Sequence, residues 1–270
     1  LLATVAITVD NGTTTAGQLN TINGITTGLV TATAVTAISG SASDLNTLAG
    51  NEGTAGDKVN LLATVAITVD NGTTTAAQLN TINGITTGLV TATAVAAISG
   101  TSAQLDTLAG NEGTAGDKVD LLASVAITVD NGTTTADELN TINGITSGLV
   151  DATAVTAISG SASDLNTLVG NEGTAGDKVD LKSDVALTVT TGTTTATILN
   201  TLNTATSGLV TATAITAISG VAADLNTLAG NEGTAGDKVD LATDVALTVS
   251  NGTTTAGQLN TINGITTAKV

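Results

Sequence analysis

The amino-acid sequence predicts an α/β repeat solenoid, in which parallel strands alternate with short helices and each coil takes about 30 residues. The ten-residue segment Gly50–Val59 recurs unchanged and at a constant interval, at Gly110–Val119, Gly170–Val179 and Gly230–Val239. A Leu-Asn-Thr or Leu-Asp-Thr tripeptide occurs nine times, with a shorter and a longer spacing in alternation, so each sixty-residue double repeat contains two coils. Phe, Tyr, Trp and Met are absent, and aliphatic side chains alone fill only a thin interior.

We expect residues 1–270 to form a single continuous tandem-repeat array rather than a set of globular domains. The repeats are residues 1–60, 61–120, 121–180 and 181–240, followed by a partial repeat at 241–270. Because the sequence begins and stops inside the repeat pattern, we also expect it to be part of a longer chain.

Each repeat begins with a strand pattern. Val5–Val9 alternates large aliphatic residues with small or polar ones, which is the period-two pattern of a strand. The corresponding segment of the second repeat predicts a strand over Leu61–Val69. Asp10-Asn11-Gly12 then predicts a turn, because Asn and Gly tolerate positive φ.

A short helix is predicted to follow this turn. Thr15 is a suitable N-cap with Gln18 three residues later, and Thr135 with Glu138 is the clearest capping box of this kind. Gly24 is predicted to end the helix. One face of the helix is expected to carry Leu19, Ile22 and Ile25.

The second coil of each repeat follows the same plan with different residues. Ala34–Ser39 predicts a strand, and Ser41 predicts the N-cap of another short helix. Leu45 and Leu48 are expected to face the interior, and Gly50 is expected to end this helix.

Alternating strands and helices with short connections predict right-handed crossovers and parallel strands in sequence order. The alternative is an all-β solenoid in which the Leu-Asn-Thr segments are also strands, since Asn and Thr are mediocre helix formers.

The chain is acidic, with 23 Asp and Glu against 6 Lys and a formal net charge of −17. This charge disfavours nucleic acid and anionic membranes as partners, because both bind basic surfaces. No apolar run reaches the roughly 20 residues of a membrane helix. The charge also suggests a disordered acidic spacer, but 41% of the residues are hydrophobic and regularly spaced, which favours a folded chain.

The residue types present disfavour catalysis. His, Cys and Tyr are absent, which removes the commonest general bases and nucleophiles. The acids Glu52 and Asp57 recur in four repeats, whereas an active site is normally unique in a chain. We therefore expect no enzyme, no catalytic residue and no required cofactor.

Calcium is the one ion that the sequence suggests. Asp10-Asn11-Gly12 and the segment from Asn51 to Asp57 place oxygen ligands beside glycine turns, as hard cations prefer. Neither segment matches the Asp-x-Asp-x-Asp-Gly loop or the Gly-Gly-x-Gly-x-Asp nonapeptide, and Asp10 is replaced by Thr190 and Ser250 in the last two repeats. A turn without a metal explains the same residues.

Two further patterns suggest stacked rows of side chains. Thr13-Thr14-Thr15 recurs in every repeat, so coils could stack these residues into threonine ladders like those of ice-binding solenoids. The Asn of the Leu-Asn-Thr tripeptides recurs in eight of nine coils, which predicts an amide ladder between neighbouring coils.

The run Thr33–Gly40 followed by Ala42–Leu48 resembles the tandem repeats of very large bacterial cell-surface and secreted proteins, those of marine cyanobacteria in particular. The resemblance implies an extracellular or cell-surface location and a structural or adhesive role. It implies no functional residue, and the calcium-binding nonapeptide of the best-known secreted repeats is absent from this chain.

The sequence therefore predicts an extracellular structural repeat protein that forms a filament, sheath or surface stalk. The alternative is an adhesin extender or a calcium- or ice-binding module. The fourth repeat differs most from the others, at Ile198, Leu202 and Ala205, but these changes are conservative. Because neither end has a distinct capping unit, we expect end-to-end self-association or continuation of a longer repeat chain.

Overall fold

A computed structural model describes residues 4–250, 252–268 and 270, and it consists of short parallel strands alternating with short helices. The predicted α/β repeat solenoid is confirmed. The all-β alternative is wrong, because every Leu-Asn-Thr or Leu-Asp-Thr tripeptide lies within a helix. The helices of the described residues are α1 (Ala16–Asn23), α2 (Ala42–Asn51), α3 (Ala76–Asn83), α4 (Ser102–Asn111), α5 (Ala136–Gly144), α6 (Ala162–Gly170), α7 (Ala196–Ala205), α8 (Ala222–Asn231) and α9 (Ala256–Asn263).

The strands are short. In chain order they are β1 (Ile7–Thr8), β2 (Gly12–Thr15), β3 (Val30–Ala32), β4 (Val35–Gly40), β5 (Val59–Leu61), β6 (Ala66–Val69), β7 (Gly72–Thr75), β8 (Val90–Ala92), β9 (Val95–Gly100), β10 (Val119–Leu121), β11 (Ala126–Val129), β12 (Gly132–Thr135), β13 (Val150–Ala152), β14 (Val155–Gly160), β15 (Val179–Leu181), β16 (Ala186–Val189), β17 (Gly192–Thr195), β18 (Val210–Ala212), β19 (Ile215–Gly220), β20 (Val239–Leu241) and β21 (Ala246–Val249).

The coils are of two kinds. We call a coil type A when Gly-Thr-Thr-Thr precedes its helix, and type B when Ile-Ser-Gly precedes the capping residue of its helix. A coils contain the odd-numbered helices and B coils the even-numbered helices. The strand predicted over Leu61–Val69 is in fact two strands, β5 and β6, because a turn closed by the Val65 amide and the Leu62 carbonyl separates them.

Interatomic contacts divide the chain into two compact units. The first comprises Leu1–Thr128 with Gly144–Leu149, and the second comprises Val129–Asn143 with Val150–Val270. In the first unit, strands pair in the orders β1-β3-β5 and β2-β4-β6-β8-β10. In the second, they pair in the orders β12-β14-β16-β18-β20 and β17-β19-β21. The pairs described within each unit are parallel, as predicted. The predicted sequence order is wrong, because each strand pairs with the next strand but one rather than with its neighbour along the chain.

The number of residues between paired strands differs from the number of residues between successive helices. Ile38 pairs with Ile67, which in turn pairs with Val90, so the first offset along the chain is longer than the second. Neither offset equals either spacing between the tripeptides of successive helices. The strands of one sheet therefore come from different positions within successive coils. In each unit, one edge strand of the five-stranded sheet is the last strand of an A coil, and the opposite edge strand is the first strand of a later A coil.

The interior is built from aliphatic side chains, as predicted. Leu19, Leu45 and Leu48 are completely buried. Ile25, however, is 51% exposed, so its predicted place on the buried face is wrong. The helix ends at Asn23, and beyond that point the buried residue is Thr26, whose hydroxyl donates to the Val5 carbonyl.

The helices begin as predicted and end differently. Thr15 and Gln18 form a capping box, and Ser41 accepts a hydrogen bond from the Asp44 amide. Gly24 has φ −68°, so it caps α1 in a right-handed rather than a left-handed conformation. Gly50 does not end α2, which continues to Asn51 and is capped at the next residue. Such short helices have little stability alone, so packing against neighbouring coils must hold them.

Candidate binding surface

A row of polar side chains crosses the outer face of the five-stranded sheet in the first unit. Neighbouring strands are about 4.8 Å apart. On the inner face, the parallel row of Ile38, Ile67 and Val90 is buried. Strand side chains alternate between faces, so the next residue of each strand points outward. The outer row runs from β2 to β10 through Thr15, Ser39, Thr68, Thr91 and Asp120.

The second unit repeats this row, and we call each such series a hydroxyl row. Its five-stranded sheet places the corresponding residues in the order Thr135, Ser159, Thr188, Thr211 and Asp240. The three-stranded sheets carry shorter rows, Thr8, Thr31 and Asn60 in the first unit and Thr195, Ser219 and Thr248 in the second.

The hydroxyl row faces solvent with free hydrogen-bonding capacity. Thr68 is exposed, and Ser39 and Thr91 are half-buried. Among the described residues, none of these three hydroxyls has a protein hydrogen-bond partner. Each hydroxyl can both donate and accept, so these residues present regularly spaced hydrogen-bonding groups to solvent.

The Thr-Thr-Thr triplets of the described repeats do not stack into the threonine ladder that the sequence suggested. Thr13-Thr14-Thr15 forms most of β2, and β4 places Ala37, Ile38 and Ser39 beside it. The triplets of successive repeats are separated by a B coil, so they do not stack on one another. The hydroxyl row uses only Thr15 of the triplet, and Thr15 also caps α1 as predicted.

The predicted asparagine ladder is present at alternate helices only. In A helices, the amide Nδ2 donates over 2.9–3.0 Å to a backbone carbonyl in the first turn of the following B helix. The corresponding asparagines of the B helices, at 46, 166 and 226, have no such partner in the described chain. The four bonds are Asn20 to Asp44, Asn80 to Gln104, Asn140 to Asp164 and Asn200 to Asp224.

The invariant segment Gly50–Val59 closes the connection from a B helix to the next strand. The ammonium of Lys58 donates to the Gly50 carbonyl over 2.9 Å, which satisfies a carbonyl at the C-terminal end of α2 and complements the helix dipole. Gly56 has φ +70°, a left-handed conformation that favours glycine. The repetition of this segment therefore has a structural explanation.

The acidic positions considered for calcium do not converge. Glu52 is half-buried, whereas Asp57 and Asp10 are exposed. In the described part of the chain, no three acidic side chains are grouped closely enough to hold a metal ion. Calcium at these turns stays a prediction, and thermal unfolding with calcium and with a chelator tests it.

The Asp-Asn-Gly turn uses its backbone rather than its carboxylate. The amide of Asp70 donates to the Gly40 carbonyl of the preceding coil over 2.9 Å. Thr190 and Ser250 make the same backbone bond to Gly160 and Gly220, at 2.9 and 2.8 Å. Because the side chain is not needed for this contact, the replacement of Asp at this position is tolerated.

The fourth repeat has a local opening that its conservative sequence changes do not suggest. Two open grooves meet at Thr204 and Ala205, where the other A helices are followed by Gly and Ile. Glu172 borders both grooves, and Asp180 and Asp237 border one of them. Ala205 stands where the other A coils have Ile, so a smaller side chain lines both grooves.

One ion pair perturbs a carboxyl group in this repeat. Lys182 Nζ lies 2.9 Å from Asp184 Oδ1, and both side chains are largely exposed. The hydrogen bond from Lys182 lowers the pKa of Asp184 below its usual value of 3.8. The pair is a surface feature and does not belong to the hydroxyl row.

No family model, curated protein or solved structure matches this chain. No helix among the described residues combines the length and the apolar character needed to cross a membrane. The repeat geometry and the hydroxyl row are therefore the features from which a function can be inferred.

Proposed function

We propose that this chain is an extracellular structural repeat protein whose stacked coils build a filament, sheath or surface stalk. The observation that carries the proposal is the continuity of contacts from coil to coil within each unit. Strand β6 pairs with β4 before it and with β8 after it, and helices α1 to α4 contact one another in succession. Such a stack can be lengthened by further coils without a new kind of contact.

The composition supports a mechanical role outside the cell. A chain without cysteine forms no disulfide cross-links in an oxidising compartment. The acidic surface repels like-charged copies side by side, which favours growth along the stack over lateral clumping. The resemblance to bacterial surface repeats supports the same location.

Imaging and diffraction of native material test this proposal. We expect negative-stain images of narrow fibres of constant width, and fibre diffraction with a spacing of about 4.8 Å from the stacked strands. Compact particles without a long axis would contradict the proposal. Mass spectrometry of dissociated fibres would then show whether a fibre is one long chain or many copies.

A second candidate function is supported by the hydroxyl row. The hydroxyls of Ser39, Thr68 and Thr91, which have no protein partner among the described residues, suit an ordered polar surface such as ice-like water. Ice binding is one of the binding alternatives that the sequence suggested. We expect the chain to inhibit ice recrystallisation and Thr68→Lys to weaken the inhibition, because a long charged side chain interrupts the row. Thr54→Lys, in an exposed loop away from the row, is the matched control. Equal inhibition by both variants would contradict this function.

A further inference from the structure

The dipeptide Asn-Gly occurs twice in each A coil of the first three repeats, in two different surroundings. In the second repeat, one copy is Asn71-Gly72, in the Asp-Asn-Gly turn before β7, and the other is Asn83-Gly84, at the end of α3. The third repeat has the same arrangement at residues 131–132 and 143–144. The two copies therefore carry the same reacting groups, and their reactivity depends on the structure around them.

Asn-Gly is a dipeptide in which the asparagine side chain can react with its own backbone. The glycine nitrogen, after losing its proton to solvent, attacks the side-chain carbon Cγ, and ammonia leaves as a cyclic imide forms. Water then opens the imide at either of its carbonyl carbons, which yields Asp or isoaspartate. The net reaction consumes water and releases ammonia, and it needs only that the nitrogen and Cγ can approach each other.

The turn copy is open to this reaction. Asn71 and Gly72 are both exposed, and the Asn71 side chain has no hydrogen-bond partner in the part of the chain that the structure describes. Gly72 has φ +143°, and a Cβ added there would meet nothing within 4 Å, so the space beside it is open. Asn131 is exposed in the same way, and Gly132 has φ +145° and equally open surroundings.

The helix copy is held away from the reaction. The Gly84 amide donates to the Asn80 carbonyl over 3.1 Å, so its proton is engaged in a hydrogen bond. Asn83 is the last residue of α3 and is only 8% exposed, which restricts access of water. Ring closure also requires rotation about the Asn83 Cα–C bond, and a helical residue makes this rotation only by leaving the helix.

We propose that Asn71 and Asn131 are sites of spontaneous deamidation and isoaspartate formation, whereas the Asn-Gly copies at the helix ends are protected. The Asp product suits the turn, because the fourth repeat has Thr191 at this position and asparagine is therefore not required there. The isoaspartate product does not suit the turn, because it adds a methylene group to the main chain. The backbone is fixed on both sides of Asn71, by the bond from the Asp70 amide to the Gly40 carbonyl and by the pairing of β7 with β9.

Peptide mass spectrometry after incubation of the folded chain in mildly alkaline buffer tests the proposal. Cleavage after lysine releases residues 59–118 as one peptide that contains both copies, and fragmentation of this peptide locates the deamidated residue. We expect Asn71 to react at least about tenfold faster than Asn83, because α3 must open locally before Asn83 can react. Equal rates, or a faster reaction at Asn83, would overturn the proposal.

A denaturant control separates the effect of the fold from that of the local sequence. In urea the helix is lost, so Asn71 and Asn83 should react at similar rates. An equally large advantage of Asn71 in urea would show that the neighbouring residues, and not the fold, determine the site. Asn71→Thr, which copies the fourth repeat, should abolish the turn product and leave the rate at Asn83 unchanged. An undiminished yield of deamidated peptide in this variant would contradict the assignment.

Hydrogen exchange tests the consequence of the isoaspartate product. Asn71→Asp supplies the other product with a normal main chain, and its β7 amides should be protected as in the unreacted chain. An aged chain that contains isoaspartate at this position should lose protection in β7, because the longer main chain shifts one of the two fixed contacts. Equal protection of β7 in the aged chain and in Asn71→Asp would contradict this consequence.

Discussion

The contact between an A coil and the B coil after it, which we call the A-to-B boundary, and the contact between a B coil and the next A coil, the B-to-A boundary, both have parallel strand pairing. They are nevertheless held by different interactions. Side-chain amides and hydroxyls cross the first kind of boundary, and two glycines allow its close approach. At the second kind, backbone bonds and aliphatic packing are sufficient. Successive coils must present different faces to each other, and the sequence therefore repeats after two coils rather than after one.

The largest effect is expected from Gly88→Ala, at an A-to-B boundary. An added Cβ would lie 2.6 Å from the Thr64 carbonyl oxygen, and backbone cannot move aside as a flexible side chain can. We expect a loss of about 3 kcal/mol in the free energy of unfolding, at the upper end for overpacked sites. Denaturant unfolding followed by circular dichroism measures it.

Gly110→Ala is the matched control for this substitution. Gly110 lies in α4, the helix of a B coil, and an added Cβ would meet nothing within 4 Å. Alanine is the better helix former, so we expect stability to rise by about 0.5–1 kcal/mol. A loss of stability at Gly110 as large as at Gly88 would remove the distinction between the boundaries.

Asn80→Asp tests the amide bond at the same boundary. The change replaces the Nδ2 donor by a carboxylate oxygen that faces the Gln104 carbonyl, so we expect a loss of about 2 kcal/mol. Asn46→Asp in a B helix should change stability by less than about 0.5 kcal/mol. The natural Asp among the nine tripeptides, Asp106, is also in a B helix. Similar losses at both positions would show that the asparagine is needed for another reason.

Val221→Ser is expected to give a smaller gain at the start of α8. Val221 occupies the N-cap without a side-chain hydrogen bond and is 44% exposed, whereas Ser161 caps α6 by accepting from the Asp164 amide. Restoring serine should stabilise α8 by about 1 kcal/mol. Slower hydrogen exchange in the first turn of α8 would confirm the cap, and Ser161→Val should give the opposite change in α6.

Local patterns in the sequence predicted the coils well. The caps at Thr15 and Ser41 are present because each requires only a side-chain oxygen and an amide three residues away. The buried position of Ile25 is wrong because the helical period does not continue past the end of α1. Gly50 lies inside α2, where the ammonium of Lys58 donates to its carbonyl, so glycine alone does not end this helix.

The hydroxyl row could not be predicted from the repeat. Ser39, Thr68 and Thr91 come from three different strand sequences, and their adjacency depends on two unequal offsets along the chain. Those offsets, counted in residues between paired strands, differ from both spacings between the tripeptides of successive helices. The helix repeat therefore does not reveal which strand residues are paired. A register of this kind is fixed by packing between coils. Its only signal in the sequence is a hydroxyl between two aliphatic residues, and this signal is present at Thr68 and Thr91 but not at Ser39, which precedes Gly40.

The smallest expected effect concerns the Lys182–Asp184 pair, which only the fourth repeat has. The hydrogen bond from Lys182 lowers the folded-state pKa of Asp184 below its usual value of 3.8. The pair therefore stabilises the fold above pH 3.8, and this contribution is lost as the pH falls through the lowered pKa. Because both groups are exposed, we expect the carboxyl titration rather than the melting curve to reveal this contribution.

NMR can follow the titration of the Asp184 carboxyl directly. Lys182→Leu restores the residue of the first three repeats and should move the Asp184 titration midpoint upward. High salt should move the same midpoint upward in part, because salt screens the ion pair. An unchanged midpoint for Asp184 in Lys182→Leu would mean that the pair does not persist in solution.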